Sequence, residues 1–156
     1  HRRIGFINSV HPIPARFGRL EGYKKAILDW GLPLLEQYIL YVEDNADGGY
    51  QGTMALMQLP EPPTALFCFN DRAAMGAYDA LRELKLEIPG DVAVVGFDNQ
   101  EIISAHLRPR LSTVELPHYA MGYWGAEYLA KHAGDTGGIA PTQHIIGCPL
   151  IERSSV

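Results

Sequence analysis

Thr64-Ala65-Leu66-Phe67-Cys68-Phe69-Asn70-Asp71 and Val92-Ala93-Val94-Val95-Gly96-Phe97-Asp98-Asn99 decide the fold. Each opens on an unbroken apolar run too short for a helix, which reads as a strand buried on both faces, and each ends at polar residues. Between them Ala74, Met75, Ala77, Tyr78, Leu81 and Leu84 repeat at helical spacing behind Asp71, a residue type that caps helix starts, and Pro89-Gly90 closes the connection. This is a βαβ unit. A helical crossover makes its strands parallel, so Asn70 and Asp98 are expected at the carboxyl edge of one sheet. Ligands of open α/β sheets bind along that edge.

The alternation extends in both directions. Upstream, Arg3-Ile4-Gly5-Phe6-Ile7 reads as a strand ending at Asn8-Ser9, followed by a helix from about Ala15 with Leu20, Tyr23, Ile27 and Trp30 on one face and Gly31 as its stop. Arg16 and Arg19 fall in the first turn of that helix, where a cation opposes the dipole, so helix formation does not explain them; on the residues alone both read as solvated surface charges, and for Arg16 that reading stands. Tyr38-Ile39-Leu40-Tyr41-Val42 is the next strand, with Glu43-Asp44-Asn45 at its edge; a helix over about 47–59 buries Tyr50, Met54 and Met57 and ends at Pro60, Pro62 and Pro63. Downstream, residues 100–106 form a short helix, Leu111-Ser112-Thr113-Val114 a strand and residues 119–132 a helix. Residues 134–138 form a glycine-rich turn, and His144-Ile145-Ile146-Gly147-Cys148 a returning strand. The fold class is therefore α/β, a parallel sheet flanked by helices on both faces.

With 156 residues, 47% hydrophobic and 20% charged, the chain can bury a core. A net charge of −5 and a pI near 5.6 argue against a direct nucleic-acid surface. No apolar run reaches membrane-spanning length. Cys68 and Cys148 lack paired or metal-ligand spacing and read as reduced core residues of a cytoplasmic protein. The six histidines, His1, His11, His106, His118, His132 and His144, show no metal-binding spacing, and no cofactor motif, phosphate loop or nucleophile elbow is present.

The runs from Thr64-Ala65 to Asn70-Asp71-Arg72-Ala73-Ala74-Met75-Gly76, Ile88-Pro89-Gly90-Asp91-Val92, Val95-Gly96-Phe97-Asp98-Asn99, Leu111-Ser112-Thr113-Val114 and Leu150-Ile151-Glu152-Arg153-Ser154-Ser155 resemble, in order and spacing, the effector-binding domain of the LacI/GalR family of transcription regulators. The resemblance implies a periplasmic-binding-protein-like domain of two lobes, of which this chain is the later part. Residues 1–110 and 143–156 would form the C-terminal lobe, and 111–142 would supply a strand and helix to the otherwise missing N-terminal lobe. It also implies a sensor and not an enzyme, with a sugar-like effector bound by Arg19, which matches the family's ligand arginine in Arg19-Leu20-Glu21-Gly22-Tyr23, and by Asn70 and Asp98. Asn70 and Asp98 also read as ordinary loop or cap residues. Asp44 stands where relatives often place a stacking aromatic; it reads either as a hydroxyl acceptor or as a helix-start residue. The family pattern further implies a homodimer through Met75, Ile102 and Ile103, and DNA contact only through a helix-turn-helix that this chain does not contain. A periplasmic sugar-binding protein of the same fold is the alternative. A Rossmann-type enzyme would need a phosphate-binding glycine loop after the first strand, and Asn8-Ser9-Val10-His11-Pro12 is not one.

Overall fold

The computed structural model describes residues 1–133 and 142–156. The two strands read from the central stretch are neighbours, β3 (Ala65–Cys68) and β4 (Ala93–Asp98), joined by α3 (Asp71–Glu83). Upstream lie β1 (Ile4–Ser9), α1 (Pro14–Asp29), a 3-10 turn (Glu36–Tyr38), β2 (Ile39–Val42) and α2 (Ala46–Met57). Downstream lie α4 (Glu101–Ser104), β5 (Ser112–Glu115), α5 (His118–Lys131) and β6 (Leu150–Ile151). The strands form one sheet in the order β2-β1-β3-β4-β5-β6, parallel except for β6. Alternation along β1 places the helices: Phe6 packs with Leu20, Tyr23 and Ile27 of α1 on one face, while its neighbour Ile7 packs with Leu56 of α2 and Ala74, Ala77 and Leu81 of α3 on the other. Register puts Phe6 beside Phe67, and their rings stack at 4.8 Å.

Several sequence readings are corrected. Leu111-Ser112-Thr113-Val114 does not leave for another lobe; Ser112–Glu115 continues this sheet, with Ser112 opposite Val95 and Glu115 opposite Asp98. The neighbouring strand satisfies its backbone groups, and Ser112 and Thr113 are fully buried with their hydroxyls bonded. The returning strand is Leu150–Ile151, antiparallel to β5, and residues 144–148 form none; Cys148 is exposed, while Cys68 is buried as expected. Trp30 sits past the end of α1 and is 83% exposed. The buried stripe of α2 is Gly48, Gly49, Gly52, Thr53 and Leu56, with Gly49 directly against the α3 backbone at Ala73; Tyr50, Met54 and Met57 are only half-buried, Met57 packing at the edge of the core. Helix α5 forms as read but none of its residues is buried, so it does not pack into this core. The glycine-rich turn at 134–138 lies outside the described residues.

Candidate functional site

Parallel strands β1 to β4 place the ends of β1, β2, β3 and β4 along one edge, and α1 delivers Arg19 to the same edge. Arg19 is held on three sides. Its guanidinium lies 4.4 Å from the Phe69 ring and 3.6 Å from the Phe97 ring, Nη1 donates to the Phe69 carbonyl, and Nη2 stands 3.4 Å from Asp98 Oδ1. Burial pulls its pKa below the ordinary value and Asp98 opposes the shift. Both side chains keep a narrow window to solvent, 14% for Arg19 and 18% for Asp98. A planar cation fixed between two aromatic faces beside a carboxylate presents donors, acceptors and apolar surface in one place.

Asp98 has φ 101° and Asn99 φ 53°, two successive non-glycine residues in a region L side chains rarely adopt. Such a backbone persists only where its surroundings impose it, and residues of this kind cluster at ligand sites.

Asn70 lies in the same neighbourhood but is committed inward. It is 3% exposed; its Oδ1 accepts from the Ala73 amide and caps α3, and its Nδ2 donates to the Asp44 carbonyl at 2.9 Å. The cap is therefore Asn70, not Asp71. Asp44 is not the helix-start residue either, since Asn45 caps α2 by accepting from the Gly48 amide. The Asp44 carboxylate faces His11, with Oδ1 3.4 Å from Nε2, and Glu43 Oε2 is 3.0 Å from the same nitrogen. Histidine spacing in the sequence does not show this group, because its members come from two loops; two of the three are exposed. Asn8 and Ser9 are fully buried and close the loop after β1, Asn8 Oδ1 accepting from the Ser9 amide and Ser9 Oγ from the His11 amide. Arg16 donates to the Val10 carbonyl and lies 4.5 Å from the Tyr41 ring, at the rim rather than free on the surface.

The structure thus pairs Arg19 with Asp98 and Asn70 with Asp44. Phe69 and Phe97 were missed as site residues because, in sequence, they only end apolar strands. A groove of about 910 Å3 also runs from Arg19 and Phe97 along α1 to Trp30, where the exposed small residues Gly18, Gly22 and Ala26 leave Phe67 and Ile4 uncovered. Of the four residues read as site residues, only Arg19 lines it; Asp98, Asn70 and Asp44 do not.

With this geometry in hand, a family model of the periplasmic binding protein-like domain matches residues 1–156. The chain belongs to that family. Within it the likeness is to LacI/GalR regulators: it is 32% identical over 156 residues to the HTH-type transcriptional regulator GalR of Escherichia coli K12, covering 100% of this chain and 45% of GalR. It is 34% identical over 160 residues to the HTH-type transcriptional repressor CytR of the same organism, covering 99% and 45%. Among solved structures it is similar to a transcriptional regulator CelR–cellobiose complex, with TM-score 0.88, 30% identity and coverage of 99% of this chain and 47% of that one. It also resembles a LacI-family regulatory protein from Chloroflexus aggregans, with TM-score 0.90, 34% identity and coverage of 99% and 55%. The chain spans about half the length of the regulators it matches. GalR and CytR are transcriptional regulators, and among the described residues no helix is long and apolar enough to cross a membrane.

Proposed function

We propose that this chain is the effector-sensing part of a LacI/GalR-type transcription regulator and that it takes a sugar-like small molecule at the carboxyl edge, against Arg19 and Asp98. The clamped Arg19–Asp98 pair carries the reading: adjacent sugar hydroxyls require a bidentate donor and an acceptor side by side, and the half-buried Phe97 ring adds apolar surface beside them, while buried Phe69 backs the guanidinium. The cellobiose complex of a structural relative supports a saccharide as the class. Asn70 acts by shaping the Asp44 loop, and the Asp44 carboxylate borders the site with His11.

The wider reading follows the same relatives. Helix α5, with no buried residue and with Tyr119, Tyr123 and Leu129 exposed, belongs to a second lobe. Effector binding between the lobes biases their orientation, and a helix-turn-helix elsewhere in a cytoplasmic homodimer reads the DNA. The test is a thermal-shift screen of the full-length regulator against mono- and disaccharides, since a ligand of the native state raises its melting temperature. Calorimetry on the hit follows. Asp98→Ala is expected to weaken binding by about 1–3 kcal/mol; unchanged affinity would remove Asp98 from the site.

A further inference from the structure

The turn that carries Asp98 is held from behind by residues that never reach the cleft. Asp71, Thr113 and Ser104 are all fully buried. Asp71 Oδ2 accepts from the Gln100 amide at 2.6 Å, and its Oδ1 accepts from Thr113 Oγ1 at 2.6 Å. To reach Thr113 the Asp71 carboxylate crosses β4 at Gly96, where a Cβ would strike Oδ1. Thr113 Oγ1 in turn accepts from the Asn99 amide at 3.4 Å. From the far end of the chain, Arg153 donates through Nη1 to the Leu111 carbonyl at 2.8 Å and through Nη2 to Asn99 Oδ1 at 2.9 Å, an oxygen that also accepts from Ser104 Oγ. Residues 98–100 are therefore tied to α3, β5, α4 and the C-terminal segment, and they contain both consecutive positive-φ residues.

We propose that Asp71, acting with Thr113, and Arg153 are positioning residues that hold the 98–100 turn in its left-handed conformation and so aim the Asp98 carboxylate at Arg19. The consequence for ligand binding rests on the effector role assigned to Asp98; the positioning itself does not. Left-handed conformations of two consecutive non-glycine residues are unfavourable, so a turn without its ties relaxes. Every tie from outside the turn meets the backbone or the Asn99 side chain; the Asp98 carboxylate is met only by Gln100 Nε2, which donates to Oδ2 at 3.4 Å within the turn, and its Oδ1 faces Arg19. The charged and titratable groups around Asp71 are Asp98 on β4, Arg153 on the C-terminal segment and the Cys68 thiol on β3.

The experiment is hydrogen–deuterium exchange of the full-length regulator without ligand, read by mass spectrometry over residues 98–104. Thr113→Val keeps the shape and removes the hydroxyl; exchange in this peptide is expected to rise about tenfold, as for one lost buried hydrogen bond, while peptides of α1 and α2 keep their rates. Thr113→Ser, which restores the hydroxyl, returns protection to the parent level. Arg153→Lys, which has no fork to span Leu111 and Asn99, accelerates the same peptide. Asp71→Ala is a further arm, with Thr113→Val carrying the test if that variant does not fold. Parent-level protection in Thr113→Val and Arg153→Lys overturns the proposal, as does acceleration spread evenly over the sheet. Because no ligand is present, failure of the sugar screen leaves this readout intact and is scored separately.

Discussion

At the scale of the residue, Asp71 shows how one carboxylate takes two roles. It follows the capping Asn70 in sequence yet leaves capping to its neighbour and turns inward to Thr113 and Gln100. Burial pushes its carboxyl from 3.8 up to about 6, against the lowering effect of those two hydrogen bonds. The folded chain then holds this proton more tightly than the unfolded chain. The resulting stability is fully present below the unfolded value of 3.8 and is lost as pH rises through about 6. Asp71→Asn removes the titration. Its stability relative to the parent is therefore expected to change by up to about 3 kcal/mol between about pH 4 and pH 7, the parent losing ground as pH rises. Urea midpoints measured across that range check it; parallel curves for parent and variant would contradict the buried charge.

At the scale of the element, helix packing divides the glycines into two kinds. Helices α2 and α3 meet through Gly49 and Gly76, where a Cβ would run into the Ala73 and Ala46 carbonyls of the facing helix. Backbone cannot yield as a flexible side chain can. Gly76→Ala is expected to force the helices apart and destabilise by about 1–3 kcal/mol or more, despite alanine's better helix propensity. On α1, Gly22 is exposed with nothing within 4 Å of its would-be Cβ. Gly22→Ala should therefore stabilise by about 0.5–1 kcal/mol. Opposite signs in chemical denaturation check both; equal signs would mean that helix propensity, not contact, governs these sites.

At the scale of the whole molecule, the faces left open are informative. Ile102 is 81% exposed on α4, and Met75 and Ile103 nearby are half-buried. A single exposed isoleucine is unremarkable, but the family pattern read in the sequence proposes this face as the subunit contact. Ile102→Glu in the full-length regulator is expected to shift sedimentation from dimer toward monomer at micromolar concentration. A dimer unaffected by the substitution would place the interface elsewhere.

The alternation of apolar runs, polar strand ends and helical repeats was sufficient to read β1 to β4, α1 to α3 and the edge that carries Asn70 and Asp98, because these signals are local: a strand buried on both faces is apolar throughout, and a helix repeats every three to four residues; Arg19 was legible only through the family resemblance. Tertiary structure alone decided the rest. Ser112–Glu115 carries the same local pattern whichever lobe it joins, and only the vacant ladder of β4 assigns it to this sheet. The α2–α3 contact depends on glycines whose value lies in atoms they lack. The roles of Phe69, Phe97, Asp71, Thr113 and Arg153 depend on partners in other elements, 54 positions away for the Arg153–Asn99 bond and farther still for the Arg19–Phe97 contact. Periodicity records which way a side chain faces; which group it meets there is set only when distant segments are brought together.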